Sequence, residues 1–164
     1  MRMKLLSVFA AVALLAACET APDGSANTGI SGATSPTTAT APQGPTPGSS
    51  EDFVVNVGDR VFFAFDQSDL STEARTTLEK QGFWLRKYPQ ATVTIEGHAD
   101  ERGTREYNLA LGERRAAAAR DYLVSLGIDP SRVATISYGK ERPAVLGSNE
   151  EAYAQNRRAV TVIN

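Results

Sequence analysis

Residues 92–126 read TVTIEGHADERGTREYNLALGERRAAAARDYLVSL, and this stretch decides the fold. Its first five residues alternate in polarity and are rich in β-branched side chains, which predicts a strand over 92–96. A turn around Gly103 follows, and apolar or small residues then recur every three or four positions to the end of the stretch. This spacing predicts a long helix with one packing face. Gly127 and Pro130 favour an end to the helix there.

Further strands and helices are predicted on both sides of this stretch. The apolar run 61–65 is typical of a strand, and the helix that follows begins after Ser71 and stops before Pro89. Two more strands and a short helix are predicted downstream, at 133–138, 159–163 and 150–155. We therefore predict an α/β fold, an α+β two-layer sandwich in which a four-stranded mixed sheet carries helices packed on one face.

The first eighteen residues have the organisation of an export signal. Basic residues precede an apolar run from Leu5 to Ala17, which is shorter than the ~20 residues that a membrane-spanning helix needs. Small residues lie directly before Cys18, and this end of the run resembles the lipobox of bacterial lipoproteins. The resemblance implies removal of residues 1–17, lipidation of Cys18 and, since Glu19 follows it, an outer-membrane destination. The alternative is an ordinary signal peptide with a chance cysteine.

Residues 19–50 are predicted to form a disordered tether. Alanine, glycine, proline, serine and threonine dominate this segment, and Asp23 is the only charged residue after Glu19. Such a composition buries too little apolar surface to offset the entropy lost on ordering. A flexible coil of this length spans roughly 30 Å. We therefore expect one folded domain, residues 51–164, to be held at a distance from the membrane.

The composition argues against several classes of function. The chain has 17 lysines and arginines against 19 acidic residues, and it lacks the clustered basic residues on which nucleic-acid binding depends. Its single cysteine excludes an internal disulfide. Its single histidine has no second imidazole or thiol near it, which argues against a zinc site. We expect no nucleic-acid partner, no metal and no cofactor.

Residues 97–116 contain the candidate site. Asp100 follows the end of a predicted strand, while Asn108, Leu111 and Arg115 are spaced so that they share one face of the helix. If the loop folds over the start of that helix, Asp100 and Arg115 bracket a small pocket with Leu111 as its apolar floor. A carboxylate and a guanidinium set apart suit a zwitterionic ligand. Spacing alone also allows an alternative without a site, in which Asp100 stabilises a turn and Arg115 lies on a solvated face of the helix.

Several motifs together resemble the signature of OmpA-like peptidoglycan-binding domains, and more narrowly that of the peptidoglycan-associated lipoproteins of the Tol-Pal system. These motifs are GHADERGT at 97–104, YN at 107–108, LGERRA at 111–116, SYGKE at 137–141, PAVLG at 143–147 and NRRAV at 156–160. The resemblance implies an OmpA-like fold and a non-enzymatic lipoprotein that links the outer membrane to peptidoglycan. It also implies a periplasmic domain that maintains envelope integrity and outer-membrane constriction during cell division. The implied partners are the stem peptide with meso-diaminopimelate, TolB and TolA.

The same resemblance implies roles for individual residues. Asp100 pairs with the ammonium of diaminopimelate, and Arg115 holds its carboxylate. The other implied site residues line or border the pocket, and they are Phe65, Asp66, Asn108, Leu111, His98 and Arg102. Two of these residues have an alternative interpretation. Asn108 would brace the loop instead of facing the ligand, and His98 would be a structural, hydrogen-bonding histidine. Alanine at Asp100 or Arg115 is expected to abolish most peptidoglycan binding and to leave the fold intact.

Other functions remain open at this stage. Asp66, His98, Asp100 and Glu101 form a conceivable acid–base set for a cell-wall hydrolase, although no nucleophile with an orienting base is visible. A wall-binding domain of a porin needs alternating strands before residue 50, and that of a flagellar stator needs an apolar span of ~20 residues; the sequence shows neither. A protein-interaction module is compatible with wall binding.

Overall fold

The structure, a computed structural model, describes residues 44–164. The predicted signal segment, Cys18 and the greater part of the predicted tether lie outside these residues. Within the range 44–164, no helix combines the length and the apolar character that crossing a bilayer requires.

Four strands of the described range form one mixed sheet in the order β1-β4-β2-β3. Their bounds are Arg60–Phe62 for β1, Val93–His98 for β2, Val133–Gly139 for β3 and Arg158–Ile163 for β4. β4 lies antiparallel to both β1 and β2, whereas β2 and β3 are parallel. A parallel pair needs a crossover connection, and the long helix of the opening stretch supplies it. The predicted four-stranded mixed sheet is confirmed.

Four α-helices accompany the sheet in this part of the chain. Their bounds are Ser50–Asp52 for α1, Thr72–Lys87 for α2, Arg105–Ser125 for α3 and Glu150–Asn156 for α4. Ser71 caps α2 and Thr104 caps α3, each accepting a hydrogen bond from a backbone N–H three residues further on. The buried side chains of α2 and α3 join those of the sheet in one core, which includes Leu78, Leu85, Val93, Ile95, Ala116 and Leu123. The predicted two-layer arrangement is confirmed.

A helical segment at the start of the domain was not predicted. α1 leads directly into a π-helical turn, Phe53–Val57. Phe53 is fully buried, and its ring packs edge-on against Trp84 with 5.0 Å between the ring centroids. Asp52 accepts hydrogen bonds from the Trp84 indole and from the backbone N–H of Gly48. The folded domain therefore begins no later than Gly48, inside the C-terminal end of the predicted tether.

Two strand ends differ from the predictions by two residues or more, and the other strand boundaries agree to within one residue. β1 ends earlier, at Phe62, because the backbone soon turns away from the sheet and Asp66 adopts a left-handed φ of 57°. β2 runs longer, to His98, because Gly97 still pairs with Ser137 of β3. Both differences fall at the carboxyl end of a strand, beside the candidate site.

Candidate functional site

Two glycines bring the end of β2 against α3. A Cβ on Gly97 would overlap the carbonyl oxygen of Gly112, and a Cβ on Gly112 would lie 2.8 Å from the Gly97 oxygen. The obstacle at Gly97 is backbone, and at Gly112 the Ser137 hydroxyl would lie closer still, so only glycine fits at either position. This close approach places the loop after β2 beside the start of α3, where the Asn108 side chain donates to the Arg102 carbonyl at 2.9 Å. Asn108 therefore braces the loop.

Asp100 lies in this loop and is 5% exposed. Its carboxylate accepts hydrogen bonds from the backbone N–H of Arg102 at 3.1 Å and from the Arg102 side chain at 3.2 and 2.7 Å. Burial by itself raises the pKa of Asp100, but the hydrogen bonds and charge of Arg102 more than offset it and hold that pKa below its ordinary value. Asp100 is therefore a carboxylate at neutral pH.

Arg115 is fully buried, and it joins three separate stretches of backbone. Its guanidinium donates to the carbonyls of Gln67 at 2.8 Å, His98 at 2.8 Å and Ala64 at 3.1 Å. Burial lowers the pKa of Arg115 to about 10, and the nearby Asp100 carboxylate opposes that shift. Arginine has five N–H donors, so one on each terminal nitrogen remains for a ligand. Arg115 is thus a cation at neutral pH that also stabilises the fold.

The two charged groups line one cavity of about 160 Å³. Its walls come from the turn after β1, the loop after β2 and the first half of α3. The lining residues are Phe65, Asp66, Asp100, Arg102, Gly103, Tyr107, Asn108, Leu111 and Arg115. This set contains every residue that the sequence placed in the site except His98. The predicted shared face of Asn108, Leu111 and Arg115 thus forms one wall of the cavity.

Aromatic side chains border the cavity on the solvent side. Phe65 is 59% exposed, and Tyr107 donates a hydrogen bond from its hydroxyl to Asp66. That hydrogen bond raises the pKa of Tyr107 above its ordinary value. The left-handed backbone of Asp66 is a conformation that few non-glycine residues adopt, and such residues concentrate at functional sites.

Arg157 is a site residue that the sequence did not reveal as one. It is 7% exposed, and its Nη1 lies 3.6 Å from an Asp100 oxygen. Its Nη2 contacts Glu150 at 2.7 Å, and its Nε donates to the Phe63 carbonyl at 3.1 Å. One feature of the sequence could have indicated it: Arg157 belongs to the motif at 156–160 and is a charged residue directly before the largely buried strand β4. Arg157 adds a second cation beside Asp100.

His98 lies outside the cavity. Strand alternation directs Gly97 toward α3 and therefore turns the next side chain to the opposite face of the sheet. His98 is 2% exposed beside Tyr138, and neither ring nitrogen has a hydrogen-bond partner within residues 44–164. The Glu96 carboxylate is 3.7 Å away, beyond hydrogen-bonding distance. His98 therefore does not line the cavity that it was expected to border, and its structural alternative fits the burial.

His98 predicts a loss of stability in mild acid. Burial, followed by the positive charges of Arg158 and Arg142, lowers its pKa to about 4. Between the ordinary value of 6.5 and about 4, the unfolded chain binds a proton that the folded chain does not, so stability falls as pH falls. We expect a loss of roughly 1.5 kcal/mol between pH values of about 6.5 and 5. Urea unfolding at both pH values measures it. The free energy of unfolding of His98→Gln should change little between these pH values. An equally small change in the wild type would contradict the prediction.

A larger groove of about 680 Å³ lies elsewhere, between the π-helical turn and α2. Both of its acidic residues are engaged, Asp52 by the Trp84 indole and Glu79 by the Tyr122 hydroxyl. None of the residues predicted for the site lines it. Size alone favours this groove. The smaller cavity is the better candidate because it combines an ionised acid and a buried arginine on a rigid frame.

The cavity is suited to binding charge pairs rather than to transferring protons. A general acid or base works best with a pKa near the working pH. Asp100 has a lowered pKa, Tyr107 has a raised one, and that of Arg115 is about 10. Residues 44–164 hold no cluster of metal-ligating side chains. The available chemistry is a carboxylate for a cation and guanidinium N–H groups for an anion.

Comparisons with known proteins point to one family. The OmpA family model matches residues 62–157, a range that contains every residue lining the cavity. The peptidoglycan-associated lipoprotein of Brucella melitensis is 62% identical over 119 residues, which cover 73% of this chain and 71% of that protein. The peptidoglycan-associated lipoprotein of Mesorhizobium japonicum is 51% identical over 161 residues, which cover 96% of this chain and 90% of that protein.

A solved structure is similar over the same domain. The crystal structure of the peptidoglycan-associated lipoprotein from Burkholderia pseudomallei matches with a TM-score of 0.63 at 42% sequence identity. The match covers 65% of this chain and 90% of that one.

Proposed function

Since the chain belongs to the OmpA family and, within it, to the peptidoglycan-associated lipoproteins, we propose that it ties the outer membrane to peptidoglycan without being an enzyme. The observation that carries the proposal is the cavity in which Asp100 and Arg115 share the lining. A membrane anchor at one end and a wall-binding site at the other make a two-ended, non-covalent link.

The proposed ligand is the zwitterionic end of meso-diaminopimelate in the stem peptide. Its ammonium pairs with Asp100, and its carboxylate uses the remaining N–H groups of Arg115. Leu111 supplies apolar contact, while Phe65 and Tyr107 flank the entrance. The cavity, about 160 Å³, is below the ~300 Å³ at which pockets for drug-sized molecules begin. It therefore has room for one end of a peptide side chain rather than for a whole muropeptide.

The anchor and the partners complete the proposal. Lipidated Cys18 holds the chain in the outer membrane, and several acyl chains make such attachment stable. The tether spans the gap to the wall, and the domain faces the periplasm. TolB and TolA are proposed protein partners within the Tol-Pal system, which serves envelope integrity and constriction during division.

Asp100→Asn is expected to weaken peptidoglycan binding at least about tenfold, which corresponds to ~1.4 kcal/mol. The substitution keeps the shape of the side chain and removes the charge that pairs with the ammonium. Co-sedimentation of residues 19–164 with purified peptidoglycan measures the effect. Asp121→Asn is a matched control, because Asp121 is 72% exposed on α3 and does not line the cavity.

The same experiment separates binding from hydrolysis. The proposal predicts that the wild type sediments with peptidoglycan and releases no soluble fragments. Equal sedimentation of Asp100→Asn and the wild type would contradict the site, and soluble muropeptides in the supernatant would contradict the non-enzymatic role. Thermal unfolding of each variant verifies that the domain is folded.

A further inference from the structure

The carboxylate of Asp100 is already occupied. Both of its oxygens accept hydrogen bonds from Arg102, with 2.7 Å between Nη2 and Oδ2 and 3.2 Å between Nε and Oδ1. The residue is 5% exposed. A cation that binds Asp100 therefore has to replace a guanidinium that is bound there.

The second arginine beside Asp100 cannot give way easily. Arg157 is 8% exposed in its side chain, donates to the Phe63 carbonyl and contacts Glu150 at 2.7 Å. Moving it would break a buried hydrogen bond of a charged group, which costs about 1.5–3 kcal/mol, and its ion pair with Glu150. Arg102 is therefore the arginine that an incoming cation can displace.

The surroundings of Arg102 offer it a second position. Its side chain is 36% exposed, and its guanidinium lies between the rings of Phe65 and Tyr153, at 4.1 and 4.3 Å from their centroids. Its Nη1 is 3.8 Å from a carboxylate oxygen of Glu150, whose side chain is 64% exposed. A rotation toward solvent transfers the guanidinium from one carboxylate to the other. Displacement then leaves Arg102 with a charge partner.

We propose that Arg102 is an internal cation that holds Asp100 in the unliganded site and moves onto Glu150 when the ammonium of a ligand binds. The inference rests on the proposed function and deepens it, because it names what the ligand has to displace. Affinity is then lowered by the cost of displacing Arg102, as for any site whose competent state is not the ground state.

The displacement also selects the ligand. An anion or a neutral end group has nothing to offer Asp100 in exchange for the guanidinium, so the site stays closed to it. A primary ammonium compensates the exposed carboxylate and opens the site. Arg102 is thus a specificity-determining residue. Its role differs from that of an arginine that binds the ligand directly. Substituting a directly binding arginine weakens ligand binding, whereas substituting Arg102 is expected to strengthen it.

The test is a calorimetric titration of residues 19–164 with a soluble stem peptide that ends in free meso-diaminopimelate. Arg102→Gln is expected to bind about three- to tenfold tighter than the wild type, because no guanidinium has to be displaced. Arg102→Lys keeps a cation and should bind nearly as the wild type does. Arg105→Gln is the matched control, because Arg105 is 63% exposed at the start of α3, pairs with Glu141 and does not line the cavity.

Glu150 is tested in a double-mutant cycle. Glu150→Gln is expected to weaken ligand binding about threefold in the wild type, because the displaced Arg102 guanidinium then lacks its second carboxylate. It should have no effect when Arg102→Gln is present, because no guanidinium is then displaced onto residue 150. The amide oxygen that this substitution introduces would still accept a hydrogen bond from Arg157. An equal effect in both backgrounds would overturn the receiving role of Glu150.

The outcomes separate this inference from the proposed function. If the wild type binds, Asp100→Asn does not, and Arg102→Gln binds more weakly or equally, the displacement is wrong and the proposed function stands. If the wild type does not bind the peptide, both are wrong. Tighter binding by Arg102→Gln, together with the loss in Asp100→Asn, supports both.

Discussion

Gly97→Ala is expected to destabilise the domain strongly. The new Cβ would overlap the carbonyl oxygen of Gly112, so β2 and α3 would have to separate. Overpacking a core usually costs about 1–3 kcal/mol when side chains can adjust, and here the obstacle is backbone. We expect a loss above roughly 3 kcal/mol, a large part of the 5–15 kcal/mol that typically holds a domain folded.

Urea unfolding followed by circular dichroism measures this loss. Gly44→Ala is the matched control, because a Cβ at Gly44 meets nothing within 4 Å. The control should unfold at the wild-type midpoint. If Gly97→Ala also unfolds there, the close approach of β2 and α3 is not required for folding.

Arg115→Ala is expected to destabilise the domain by roughly 3–5 kcal/mol as well as to abolish ligand binding. The substitution leaves the carbonyls of Ala64, Gln67 and His98 without their buried donor and opens a cavity beneath them. The buried hydrogen bonds of Arg115 thus predict a loss of stability, whereas the sequence alone led to the expectation that this change spares the fold. The reason is that Arg115 joins three backbone segments that surround the site.

A urea midpoint separates this effect from an ordinary surface substitution. Arg114→Ala is the control, because Arg114 is the exposed residue directly before Arg115 on α3. It should change stability by at most about 0.5 kcal/mol. Equal midpoints for the two variants would mean that the three hydrogen bonds contribute little. A binding loss in Arg115→Ala alone cannot identify a ligand contact, so Asp100 is the better position for that question.

The secondary structure near the site was predictable because its signals are local. The β-branched alternation of 92–96, the cap at Ser71 and the stop at Gly127 each act within a few residues. The spacing of Asn108, Leu111 and Arg115 likewise fixes one helix face. The N-terminal helical segment was missed because its stability comes from Phe53 packing on the distant Trp84.

The electrostatic arrangement of the site was not predictable, because it depends on residues far apart in the chain. Arg157 reaches Asp100 only once β4 pairs with β2, and Arg115 finds two of its three acceptors in the turn after β1. His98 was misplaced for a simpler reason. β2 continues to this residue, and the alternation of a strand turns its side chain away from α3.

The central proposal is that Asp100 receives the ammonium of the stem peptide in this cavity. The most direct measurement compares two soluble stem peptides, one with a free diaminopimelate ammonium and one with that amine acetylated, by titration into wild type and Asp100→Asn. We predict that acetylation weakens binding to the wild type at least about tenfold and has little further effect on Asp100→Asn. Equal affinity of the wild type for both peptides would contradict the proposal.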